Sequence, residues 1–434
     1  MRKFLLLGAF ALATALGLSQ AAHADETCNS PFTTALIKGQ EKYLHVWTLG
    51  MKGLGDESDK LVTINVDPNS DKYGKVVDSL SVGGRGEAHH VGFTDDRRYV
   101  WAGRLDDNKI FVFDVSDPAH PKVANVIDDF VEQTGFVGPH TFYALPGRMM
   151  VQALSNDKTH DGETGIAIYS NDGKLVSTHP MPLEDGGDGY GYDIGINPAK
   201  NVVLTSSFTG WNNYMMDLGK MVKDPEAMKK FGNSMVVWDL KSRTPKKVLS
   251  VPGAPLEIRW SLKPDDNYAF TSTALTSKLW LIKQDENGEW QSKAVADIGN
   301  PEDLPLPVDI SITADAKGLW VDTFMDGTAR YFDITDPENP KQVYSKKIGS
   351  QVNMVSQSWD GKRVYFTTSL LANWDKKGED NEQFLKAYDW DGKELTHQFT
   401  VDFIKEKLGR AHHMKFSGTA KTAALGSSTA QASR

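Results

Sequence analysis

The 434-residue sequence predicts an all-β protein, a seven-bladed β-propeller with a short helical insertion. Three observations predict it. A strand–turn–strand unit recurs along the chain, its starts fall about 45 to 65 residues apart as propeller blades with insertions do, and the last copy lacks strands that the N-terminal segment supplies.

The first 24 residues read as a secretory signal rather than as part of the fold. Met1-Arg2-Lys3 is a basic head, Phe4 to Leu18 is apolar and uncharged, and Ala22-His23-Ala24 offers a small-x-small cleavage site. The apolar run is short for a bilayer span. Export, to the periplasm if the source is Gram-negative, and a mature start at Asp25 are the expectations. Residues 25–416 are assigned to the propeller and 417–434, rich in Ser, Thr and Ala, to a flexible tail.

The repeat is clearest in two copies. His90-Val91-Gly92-Phe93 leads to Asp96 through Trp101 and then to Ile110-Phe111-Val112-Phe113-Asp114-Val115-Ser116-Asp117-Pro118. Pro307 to Ile312 leads likewise to Asp315 through Val321, and then to Tyr331-Phe332-Asp333-Ile334-Thr335-Asp336-Pro337. Alternating β-branched and aromatic residues between turn formers mark the strands. Units start near residues 90, 140, 193, 257, 309, 354 and 412, which makes seven. The unit at 412 is too short to be a blade. Tyr43 to Trp47 and Leu61 to Pro68, the latter with the same Asp-Pro stop, complete it and remove the open sheet edges of an unclosed ring. Asn213 to Asn233 breaks the pattern with helical spacing and is expected over one face.

Composition narrows the partners. A net charge of −9 argues against nucleic acid and anionic membranes. The single cysteine, Cys28, excludes an internal disulfide and a thiolate-rich metal site.

Histidine is the chemistry-bearing residue. Two doublets, His89-His90 and His412-His413, stand in matching Gly-Arg/Glu-Ala contexts, and His140 holds a comparable place in its own unit. All five fall at the start of an innermost strand, where blades converge on a central channel. Asp193, Glu257 and Asp309 occupy that position in three other units. Imidazole is a common metal ligand, and an imidazole-rich site suits copper or zinc. Strand alternation allows one inward residue per doublet unless a bulge re-aims the chain. The three carboxylates either cap inner-strand amides or transfer protons beside the metal. His45, His120, His160, His179 and His397 read as ordinary hydrogen-bonded residues, and Trp101, Trp238, Trp320 and Trp390 as packing between blades.

Several long runs resemble the selenium-binding protein family, in order from about Cys28 to Phe416. They are Glu87 to Gly92, Gly189 to Asp193, Pro255 to Trp260, Arg330 to Pro337, Asp360 to Leu370 with Trp374-Asp375, and Ala411-His412-His413. The resemblance, to the bacterial methanethiol oxidase branch in particular, implies a propeller that uses copper to convert methanethiol, dioxygen and water into formaldehyde, hydrogen sulfide and hydrogen peroxide. On it, His89, His90, His140, His412 and His413 are the metal candidates, and Asp193, Glu257 and Asp309 the catalytic candidates. Animal members carry a selenium-associated cysteine near the place of Val46 here. Other readings are a non-catalytic copper or selenium carrier, a metal-dependent lactonase-like hydrolase, or an interaction platform. A homo-oligomer is compatible with all of them.

Overall fold

A computed structural model of the chain describes residues 29–263 and 265–419. The segment expected to be a signal, Cys28 and the residues beyond Thr419 lie outside the described residues. Seven antiparallel four-stranded sheets make up the structure. Each is graded in the same way: a buried strand innermost, two mostly buried strands, and an exposed outer strand such as Lys122–Ile127. We number the blades by their inner strands: Ala88–Phe93, Phe136–Leu145, Ile194–Asn197, Pro255–Trp260, Pro307–Ile312 and Val355–Gln357 for blades 1 to 6, and Arg410–Thr419 for blade 7.

Blade 7 closes the ring. Its inner strand, from the C-terminal end, pairs with Glu41–Leu49, which pairs in turn with Lys60–Asn65 and that with Val76–Ser81. The last of these has no counterpart among the strands expected from sequence, because Val76 to Ser81 alternates weakly and ends exposed. Arg410–Thr419 also runs past residue 416: Ser417 pairs with Tyr43, so the chain leaves the sheet later than the composition suggested. Apolar clusters fill the space between neighbouring blades, and Trp320 of blade 5 meets Trp390 of blade 6 edge-on at 4.8 Å.

One irregularity recurs. Inner strands of five blades carry a register shift at the same place, so that His89-His90 lie opposite Gly103, Leu256-Glu257 opposite Ser272, Val308-Asp309 opposite Asp322, and His412-His413 opposite Trp47, while His140 is the extra residue of blade 2. A bulge of this kind bends the strand and turns side chains that alternation would send to opposite faces.

The segment after blade 3's second strand forms three one-turn helices, Trp211–Tyr214, Leu218–Met221 and Pro225–Met228. Asp217 and Asp224 cap the second and third through their side chains. The helices pack Trp211, Tyr214, Met221 and Ala227 onto Val137, Tyr192, Leu256 and Val308 at the starts of four inner strands, and so roof one mouth of the channel.

Candidate metal centre

The recurrent bulge brings the histidines together. His89 and His90 stack at 4.8 Å, His89 and His412 at 3.9 Å, and His90 and His140 lie 4.0 Å apart, ring centre to ring centre. All five imidazoles of the doublets and His140 are buried to within 1% of complete. Nitrogens of His89, His90 and His412 lie within 4.8 Å of one another, a spacing a metal ion can bridge. One inward residue per doublet was the expectation from alternation, and it fails for the first doublet. The bulge at Ala88–Val91 turns both His89 and His90 into the cluster.

The second doublet divides its work. His412 stacks on His89, while His413 meets His90 edge-on at 4.7 Å and accepts a hydrogen bond at Nδ1 from the Val91 amide, 3.0 Å away. That contact ties the last inner strand to the first. His412 donates from Nδ1 to the Ser369 carbonyl at 2.5 Å, and His140 from Nδ1 to the Tyr192 carbonyl at 2.9 Å. Each carbonyl fixes a tautomer and leaves Nε2 with a lone pair, as carbonyl partners of metal-bound histidines do. Nε2 of His140 and of His412 has no hydrogen-bond partner among the described residues, and neither has either nitrogen of His89. Stranding buried polar nitrogens costs about 1–3 kcal/mol each unless something satisfies them. A cation held by neutral imidazoles fits this donor set.

Burial also fixes the charge state. It holds His89, His90 and His140 well below the usual histidine range, with repulsion among neighbouring imidazoles adding to it, and pushes His412 down to about 3. His45, buried in blade 7 with Arg97 nearby, is also pushed down to about 3. The cluster is therefore neutral, the form that binds metal. A pH dependence follows. Below about pH 6.5 the unfolded chain takes up protons that these five sites refuse when folded, so stability is full above that pH and falls as pH drops, by up to about 1.4 kcal/mol per pH unit for each site. Melting of metal-free protein at pH 7.5 and 5.5 checks this, and a Tm equal or higher at pH 5.5 would contradict it.

Beside the histidines lies a buried acidic network around Arg259. Its guanidinium meets Asp193 at 3.2 Å, Glu257 at 3.1 Å and Asp309 at 2.9 Å. Asp193 also accepts the Ile258 amide, and Asp309 accepts those of Ile310 and Val355. Glu257 approaches the cluster, with Oε1 3.7 Å from Nε2 of His90. Burial, then the neighbouring Asp193 carboxylate, pushes Glu257 well above the usual carboxylate range despite Arg259. Asp322 is raised in the same way by burial and by Asp309, whose amide it accepts.

Sequence reasoning passed over Arg259 and Asp322, both charged residues inside apolar strands, which was the available signal. It also passed over the carbonyls of Tyr192 and Ser369, which carry no side-chain signature. Of the histidines read as ordinary hydrogen-bonded residues, His45 meets Thr63, His179 meets Ser177 and His397 meets Thr400.

The model of the 56 kDa selenium-binding protein family (SBP56) matches residues 22–425. A methanethiol oxidase of a Hyphomicrobium species is 75% identical over 426 residues, covering 98% of each chain. A methanethiol oxidase of Ruegeria pomeroyi is 60% identical over 432 residues, covering 96% of this chain and 98% of its own. Among solved structures, a hypothetical selenium-binding protein of Sulfolobus tokodaii superposes with a TM-score of 0.78 at 23% identity, covering 91% of this chain and 98% of its own, and bears on the fold alone.

Proposed function

The chain belongs to the 56 kDa selenium-binding protein family, and from that premise we propose that it oxidises methanethiol with dioxygen and water to formaldehyde, hydrogen sulfide and hydrogen peroxide, using copper at the histidine cluster. One observation carries the reading: neutral, buried His89, His90 and His412 converge to within 4.8 Å in a chain 75% identical to a methanethiol oxidase.

In this reading His89, His90 and His412 hold the metal and His140 stands beside them with a free Nε2. Copper there supplies one-electron redox capacity and affinity for a soft thiolate. His413 positions, through the Val91 amide, the strand that carries the first doublet. The apolar roof keeps bulk water from the reacting sulfur and strengthens every electrostatic contact beneath it. Glu257 holds a proton 3.7 Å from His90 and hydrogen-bonds Asp193, which makes it the proton donor nearest that imidazole in this reading. Asp193 and Asp309 position Arg259 and the inner-strand amides. We assign residues 1–24 to export and place the enzyme in the periplasm, consistent with the basic head and uncharged run. Among the described residues no helix is long and apolar enough to cross a membrane.

Oxygen uptake by copper-loaded protein on addition of methanethiol, with hydrogen sulfide and formaldehyde formed in equal amounts, tests the proposal. Copper retained with no uptake would leave only a carrier.

A further inference from the structure

A cavity of about 400 Å³ opens beside the helical roof, with mainly apolar surface from Leu218, Leu306, Met325 and Trp374 and an Asp217–Lys377 ion pair of 3.1 Å on its wall. That volume falls in the ~300–1,000 Å³ range of small-molecule sites. It belongs to no part of the histidine cluster, yet it connects to it through a continuous wall. Trp374 packs on Phe208 at 5.8 Å, Phe208 on Tyr192 at 5.3 Å, and Tyr192 on His140 at 4.1 Å. A second link is polar. Asp375, which also lines the cavity, accepts from Ser369 Oγ at 2.7 Å, and the Ser369 carbonyl holds His412.

We propose that this cavity is the entry and selection site for a short-chain alkyl thiol, with Trp374 setting the largest alkyl group that passes to the cluster. The inference rests on the thiol-oxidase reading above. Three features commit the cavity to that occupant. Its apolar lining favours a small uncharged molecule over ions or sugars, whose hydration it cannot replace. Its inner wall is shared with the ring stack that ends on His140. Next to it the buried Tyr214 hydroxyl has no hydrogen-bond partner among the described residues, and its ring lies parallel to Trp374 at 6.4 Å. That hydroxyl is not on the cavity wall, and a thiol that passes the Trp374 indole offers it a weak acceptor.

Trp374 is held in place by the roof. Its indole N–H donates to the Met216 carbonyl of the roof at 3.1 Å, and Asn373 donates to the Tyr214 and Met215 carbonyls at 3.4 Å. The gate residue and the roof are thus one unit, and the indole fills the space that a longer alkyl chain would need. Trp374 touches none of the histidines and acts through access, so its removal alters selectivity rather than metal content.

The test compares methanethiol with 1-butanethiol in copper-loaded wild type, Trp374→Ala and Leu306→Trp. Trp374→Ala is expected to raise kcat/KM for butanethiol relative to methanethiol by about ten-fold or more, as one to a few methylenes in an apolar pocket are worth. Leu306→Trp, which narrows the cavity, is expected to raise KM for methanethiol several-fold with kcat retained, and it carries the test if Trp374→Ala folds poorly. Copper content is expected to match wild type in both. Crystals under xenon gas supply a readout independent of turnover: xenon occupies the cavity in wild type and not in Leu306→Trp. Thiol oxidation with an unchanged selectivity ratio and unchanged KM, or wild-type crystals without xenon at this position, overturns the inference alone. A wild type that oxidises neither thiol overturns the function proposed above and this inference with it.

Discussion

Replacing His89 by alanine is expected to abolish metal retention and thiol oxidation while barely changing the melting temperature of metal-free protein. Both ring nitrogens of His89 are buried without a hydrogen-bond partner among the described residues, so the imidazole adds ring packing to the fold but also two unsatisfied polar atoms. Truncation loses the first and relieves the second, and these terms are of similar size, about 1–3 kcal/mol. His413→Ala is expected to behave in the opposite way. It leaves the buried Val91 amide without its acceptor and costs about 1–3 kcal/mol in metal-free protein. Elemental analysis together with calorimetry, before and after chelation, separates the two variants. If His89→Ala kept wild-type metal and activity, the ligand assignment would be wrong.

Arg259→Met is the second large effect. Arg259 is buried to within 4% of complete and is the cation between Asp193, Glu257 and Asp309. Removing one member of a buried ion network leaves the others uncompensated and costs roughly 3–5 kcal/mol. The pH dependence of the deficit identifies its origin. The guanidinium opposes the upward push of burial on Glu257 and Asp322, so without it both hold their protons more tightly and the folded variant binds more protons than folded wild type. Its deficit relative to wild type is therefore largest near pH 8 and shrinks as pH falls toward 5. Denaturant melts of both proteins at the two pH values measure it. A deficit that does not change with pH would assign the loss to packing.

These two sites differ in how far the sequence exposes them. The ring of seven blades was legible because each copy repeats its own turn and strand chemistry, down to Asp117-Pro118 and Asp336-Pro337. The closing blade was legible because the unit at His412 is too short to stand alone. The strand Val76–Ser81 was not, since an outer strand buries little and leaves a weak pattern. The histidines were visible as candidates from their doublets, but their geometry was not. A period of two sends His89 and His90 apart, and only the pairing of Ala88 with Arg104 and Val91 with Ala102 reveals the bulge that reunites them. The division of labour between His412 and His413 depends on a backbone amide and a carbonyl, Val91 and Ser369, which any residue would supply. Arg259 was hidden for a different reason. It sits in an inner strand that reads as apolar, and its partners lie 50 to 66 residues away or next but one in the chain.

The helical roof shows what pattern alone leaves open. Its helical spacing was readable, yet each helix is a single turn, too short to persist without tertiary contacts. What orders it is the apolar cluster at the channel mouth and the hydrogen bond from Trp374 to Met216. Both join segments more than 150 residues apart. The same contacts shape the cavity beside the roof.

In the proposed site, imidazoles from the first and last blades meet on one copper ion. The most direct measurement is electron paramagnetic resonance on the wild-type cupric protein, with metal content determined on the same sample. Copper is expected in stoichiometric amount, with hyperfine coupling to several imidazole nitrogens that changes in His412→Ala. Protein purified without copper that fails to bind it, or a copper signal unaltered by His412→Ala, would contradict the account.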